Sequence, residues 1–232
     1  MAARQILSGP PPTVTGMTDI ASRHRDLAEK FADLADKVTD WDAPTPVKEW
    51  STRDIVGHLT SWLPGMLEGF GLSINTVQPG DDPAAAWREH SGNVQQLLED
   101  EQQLARPVAT QQGEQPLGQV LDNFYLADIF MHSWDLAKAS GQDPDLDPTT
   151  VKAMVDGMTP TVEFLAHSGQ FGTPKVLDET HSDIDRLVAL IGRDPGWTRG
   201  LARRHDHEVR EQVENDADHA RRDTADEAPP QV

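Results

Sequence analysis

Not one cysteine occurs among the 232 residues. Disulfides, thiolate metal ligands and a cysteine nucleophile are thereby excluded, and the redox compartment is left open. Basic residues are scarce: 20 Lys and Arg stand against 39 Asp and Glu, a formal net charge of −19. Nucleic acid and anionic membranes both demand a basic face, so neither is expected as a partner. Also missing is any run of about 18 apolar residues, the length needed to span a bilayer. The opening stretch, MAARQILSGPPPTVTG, lacks the apolar segment of a signal peptide. A cytoplasmic location is expected. The sequence has no glycine-rich phosphate loop, no readable Ser-His-Asp spacing and no basic aromatic patch.

What is present is helical periodicity. Ile20, Leu27, Phe31, Leu34 and Val38 recur at helical spacing and give one apolar face. WDAPTPVKEW breaks the pattern with two prolines, and Ser51 with Asp54 has the spacing of a capping box opening a second helix. Its stripe is Ile55, Leu59, Trp62, Leu63, Met66 and Phe70. Asp82 and Pro83 open a third helix, over about residues 83–105. A loop at 106–116, with room for a short hairpin, leads to a fourth helix over about 116–140. Leu117, Val120, Leu121, Phe124 and Ile129 form its apolar face, and Gly141 stops it. Asp147 and Pro148 start a fifth helix reaching about 167, which Pro160 should kink. FGTPKVLDET is extended, and Ser182 with Asp185 caps a last helix closed by Gly192.

Three segments follow from this: an N-terminal extension 1–17, a helical domain 18–197 and a charged tail 198–232. Both termini are expected to be disordered. Met17 stands just before the first periodic segment and is an alternative translation start. Four long amphipathic helices with short connections predict an antiparallel bundle followed by a small helical extension.

Three ionisable residues fall on faces that should be apolar. His58 lies between Ile55 and Trp62 in the second stripe; Asp128 and His132 sit one turn apart on the fourth helix. Such groups are costly inside a bundle unless paired or metal-bound. Two imidazoles and a carboxylate suit a divalent ion, with positions left for water or substrate. The residues alone equally allow a hydrogen-bonded Asp128–His132 pair. Trp62 is assigned first to core packing, with a wall of the metal cavity as the alternative, and Tyr125 is a candidate hydrogen-bond donor to a metal-bound ligand. Trp134 is assigned to packing, Asp135 to a surface hydrogen bond, and Arg88 to a solvated surface or to steering an anionic substrate. His205, His207 and His219 belong to the solvated tail.

Three stretches resemble a known family. WSTRDIVGHL is similar to a characteristic segment of the DinB-like, mycothiol-dependent maleylpyruvate isomerase superfamily. DIFMHSWDLAKASGQD and FGTPKVLDETHSDIDRLVALIGRDPGW resemble two signatures of its actinobacterial metal-binding branch, the second ending in Gly192-Arg193-Asp194-Pro195. The resemblance spans roughly residues 18–197. It implies an all-α, DinB-like four-helix bundle with His58, Asp128 and His132 as ligands of a divalent metal ion, zinc first and nickel or iron as alternatives. Mycothiol is the implied co-substrate. The chain departs from many relatives in carrying Val47 where they have a cysteine, and its acidic ligand is aspartate where the isomerase has glutamate. The expected function is a metal-dependent small-molecule enzyme of the thiol-dependent transferase or isomerase type. The alternatives are a metal-assisted hydrolase or tailoring enzyme, and a non-catalytic metal- or ligand-binding bundle. The expected partner is a small-molecule substrate, and the sequence fixes no oligomeric state.

Overall fold

A computed structural model describes residues 20–110 and 113–200. The N-terminal extension, Met17 and most of the charged tail, with its three histidines, lie outside the described residues. The described chain is all-α apart from one small hairpin. In order come α1 (Ile20–Asp36), α2 (Thr52–Gly69), α3 (Pro83–Leu98), α4 (Glu101–Ala105), β1 (Pro107–Thr110), β2 (Gly113–Pro116), α5 (Leu117–Val120), a π-helical segment (Leu121–Leu126) and α6 (Ala127–Ser140). α7 (Pro148–Met158), a 3₁₀ turn (Thr159–Thr161), α8 (Val162–Ser168) and α9 (Asp183–Leu190) complete it. None of these helices is long and apolar enough to cross a membrane.

Local signals set most boundaries. The Asp54 carboxylate accepts from the Ser51 amide at 2.8 Å and from its hydroxyl at 2.6 Å, fixing the start of α2. Asp82 and Asp147 each accept a backbone amide of the first turn, and the proline that follows each has no amide to satisfy. Gly141 ends α6 with φ 73°, and Gln142 N–H reaches Ala137 O at 2.8 Å, satisfying a carbonyl the helix leaves open.

Two expected helices are divided. Residues 83–105 break at Asp100, which leaves helical geometry and accepts from the amides of Gln102 and Gln103, restarting the chain as α4. Residues 116–140 contain the π-helical segment, whose wider turn absorbs an extra residue and shifts the face that follows. Phe124, read as part of the apolar stripe, is therefore 47% exposed, while Tyr125 is fully buried. The kink at Pro160 is real and takes the form of the 3₁₀ turn between α7 and α8.

α1 packs on α3 and α6, and α2 packs on α3 and α6, closing a ring of four helices. Inside it lie Phe31, Ile55, Leu59, Leu63, Trp87, Val94, Leu121 and Ile129. A second apolar cluster joins Phe130 of α6 to Val151 and Val155 of α7 and to Leu187 and Leu190 of α9. α6 is thus covered on both sides, and every residue from Ile129 to Ala137 is buried. A helix with no wet face is apolar nearly all round, so the polar residues it keeps must find partners inside.

Candidate metal centre

α2 and α6 bring together the three residues selected from helical spacing. One ligand atom from each of His58, Asp128 and His132 lies within 4.8 Å of the others. Asp128 stands between the imidazoles: His58 Nε2 is 3.0 Å from its Oδ2, and His132 Nε2 is 3.5 Å from its Oδ1. The rings meet edge-on with centroids 5.0 Å apart. Side-chain exposure falls from 32% at His58 to 17% at Asp128 and 6% at His132, so the cluster opens to solvent on the α2 side.

The surrounding groups hold this geometry. Trp62 Nε1–H donates to Asp128 Oδ2 at 2.9 Å, fixing one carboxylate oxygen. Trp62 thus contacts Asp128 directly and packs against the core; it is not among the residues that line the cleft beside His58. Trp50 covers the imidazoles from the loop before α2, its ring centroid 5.0 Å from that of His58 and 5.6 Å from that of His132. That loop is pinned by a Pro44–Ser51 bridge, and it turns at Val47–Trp50 with Glu49 in the left-handed region (φ 67°). A non-glycine residue there is strained by about 1 kcal/mol or more. Beside His58 opens a cleft of about 420 Å³ lined by Glu49, Trp50, Asp54, Gly57 and His58.

Sequence reasoning missed Asp135 and Arg193. Asp135 is fully buried, and its Oδ2 accepts from His132 Nδ1–H at 2.9 Å. Arg193, in the segment after α9, donates Nε–H to Asp135 Oδ1 at 3.1 Å and Nη2–H to Oδ2 at 3.0 Å. Burial alone would push the Asp135 carboxyl up, but the His132 bond and the Arg193 charge outweigh it and hold it below the usual carboxylate value. The readable signal was the i,i+3 spacing of His132 and Asp135. Nothing local points to Arg193, 58 residues away.

Tyr125 is not among the cleft-lining residues. Its ring lies 6.0 Å from Trp62 on one side and about as far from His24 (5.9 Å) and His90 (6.0 Å) on the other. Its buried hydroxyl has no hydrogen-bond partner among the described residues, and burial raises its pKa well above the ordinary value. Arg88 pairs with Asp36 and borders a separate groove between α1 and α3. Trp134 is buried, with Lys138 Nζ 5.4 Å from its ring centroid, in agreement with a packing role.

Chemically, the cluster supplies two imidazole nitrogens and a carboxylate beside an open cleft. That donor set fits a divalent ion, with coordination positions left on the solvent side. Residues 24–68, covering most of α1 and of α2, match the family described as mycothiol maleylpyruvate isomerase N-terminal domain. This match supports the superfamily. It covers His58 and Trp62, while Asp128, His132 and Asp135 lie beyond it. Two similar sequences are both described as an uncharacterized protein of Mycobacterium tuberculosis, one from strain CDC 1551 / Oshkosh and one from strain ATCC 25618 / H37Rv. Each is 26% identical over 152 residues, 65% of this chain and 83% of the relative. No solved structure matches.

Proposed function

We propose that the chain is a divalent-metal-binding protein acting as a metal-dependent small-molecule enzyme of the thiol-dependent transferase or isomerase type. The observation that carries this reading is the convergence of His58, Asp128 and His132, with an open cleft beside His58. The thiol component rests on the family match to a mycothiol-related domain. Zinc suits imidazole and carboxylate donors with an open position, and nickel or iron fits the same set. A bound metal would supply Lewis acidity and stabilise a thiolate or hydroxide at neutral pH.

The chain's own residues have definable tasks. His58, Asp128 and His132 hold the ion. Trp62 orients the Asp128 carboxylate, and Asp135 orients the His132 ring. Trp50 shields the imidazoles from water on one side. With no cysteine in the chain, any thiol must arrive as co-substrate.

Elemental mass spectrometry on the purified chain and on His132→Ala tests the first step. About one divalent ion per chain, lost in the variant, supports the reading. A mycothiol-type thiol should then perturb the absorption of the cobalt-substituted protein on binding through sulfur. No metal in either protein would reduce the cluster to two imidazoles sharing one carboxylate and would remove the basis for an enzyme. Metal without thiol binding would instead favour metal-assisted hydrolysis, in which an ion held by His58, Asp128 and His132 would activate water and no protein nucleophile would be needed.

A further inference from the structure

We propose that Arg193 is a positioning residue for the metal centre, acting through Asp135 on His132, so that docking of the C-terminal segment and metal binding strengthen one another. This rests on the metal reading above. A carboxylate buried as completely as Asp135 is costly unless charge and hydrogen bonds compensate it. Arg193 supplies the charge from two nitrogens, and its remaining Nη1–H donates to Ile191 O at 2.9 Å. The arginine is itself held: its amide donates to Val188 O at 2.8 Å, and Gly192 before it turns with φ 77° directly against Gly172. The guanidinium is thus presented by the end of α9 in one orientation.

The consequence falls on the imidazole tautomer. Both Asp135 oxygens receive Arg193 N–H groups, so the carboxylate faces His132 as an acceptor; Nδ1 then carries the proton and Nε2 keeps its lone pair. Nε2 is the atom facing Asp128, where an ion would sit. Removal of an outer partner of a ligating histidine typically weakens metal binding about 10–100-fold. By linkage, the factor that Arg193 adds to metal affinity is the factor by which metal favours the docked C-terminal segment.

The test uses the full chain and zinc as probe. The zinc dissociation constant is measured by competition with a chromogenic chelator for wild type, Arg193→Ala, Arg193→Lys and Asp135→Asn. Hydrogen exchange of residues 187–197 is followed with and without zinc. Asp135→Asn keeps the shape of the side chain, but its amide NH₂ can donate to Nδ1, which leaves the proton on Nε2, the nitrogen that faces the ion. The expected result is about 10–100-fold weaker zinc binding in Arg193→Ala and Asp135→Asn, with Arg193→Lys between them and wild type. Zinc should slow exchange at 187–197 in wild type and do so much less in the variants. Zinc affinity within twofold of wild type in Asp135→Asn and Arg193→Lys, with only the unfolding midpoint lowered, would overturn the proposal and leave a purely structural ion pair. If Arg193→Ala fails to fold, those two variants decide. A wild type that binds no zinc, nickel or iron overturns the metal reading itself, and the proposal with it.

Discussion

His132 uses both ring nitrogens in opposite directions: Nδ1 donates to buried Asp135 at 2.9 Å while Nε2 looks back one helical turn to Asp128 at 3.5 Å. A histidine held on both sides of its ring in this way has no free rotation: α6 supplies Asp128 and Asp135, and Arg193 fixes Asp135 from beyond α9. His58, half-exposed on α2, meets the same carboxylate from the solvent side. The cluster thus has one rigid and one adjustable imidazole, and each neighbouring contact has a measurable weight.

Trp62→Phe removes the only hydrogen bond that the indole makes to Asp128 while keeping an aromatic ring. Hydrogen bonds to charged groups contribute about 1.5–3 kcal/mol. Urea unfolding of the metal-free variant should show a loss of about 1–2 kcal/mol. Metal stoichiometry should stay at that of wild type, because Trp62 is not a ligand. Loss of metal together with full stability would show that the indole matters to the ion and not to the fold.

Tyr125→Phe should behave in the opposite way. Among the described residues no group receives the Tyr125 hydroxyl, so its removal breaks no hydrogen bond there. Stability should be unchanged or higher by up to about 1 kcal/mol, and thiol binding to the metal-loaded protein should be unaffected. A clear drop in thiol affinity would restore Tyr125 to the role read from the sequence.

Acid should destabilise the fold through His90. Burial, and secondarily the charge of His24, lowers its pKa from 6.5 to about 4. His24 is shifted in the same direction, again mainly by burial. The unfolded chain therefore binds more protons than the folded one as pH falls below about 6.5. Stability is full above that pH and declines until the folded His90 protonates near 4, a loss on the order of 3 kcal/mol. Chemical denaturation of the chelator-treated protein across pH 7 to 4 should show this slope, and His90→Leu should flatten it. An identical slope in the variant would assign the acid sensitivity to other groups.

Gly192→Ala should be severe. The residue has φ 77°, and an added Cβ would lie 2.3 Å from the carbonyl carbon of Gly172, so backbone would have to move. A loss of more than about 2 kcal/mol is expected in thermal unfolding. Gly196→Ala, whose Cβ would approach only an Asp194 side-chain oxygen at 3.4 Å, is the mild control.

Much of this was legible from the residues. His58, Asp128 and His132 stood out because charge on an apolar stripe is improbable without a reason, and the α2 and α6 faces do meet as helix spacing requires. The caps at Ser51, Asp82, Asp147 and Ser182 were readable because each is a local interaction within one turn. The π-helical segment was not, since one extra residue in a helix leaves no compositional mark and merely moves Phe124 out and Tyr125 in. Asp135 was misplaced on the surface because α6 was assumed to have a wet side; the second apolar cluster that covers it comes from residues 151–190, beyond any local pattern. Arg193 could be seen as part of a signature, but its partner is a matter of tertiary contact.

The covering of α6 from both sides also says where this site can be varied. A substitution on α6 disturbs two cores at once, so that wall of the centre behaves as a fixed jaw. The opposing jaw, α2 with the 41–51 loop, touches solvent along the cleft, with His58 on the helix and Trp50 next to the strained Glu49 on the turn. Exchanging or lengthening that loop would reshape what the cleft admits while leaving Asp128 and His132 in register. A library confined to residues 44–50 is therefore the economical route to altered ligand preference on this scaffold.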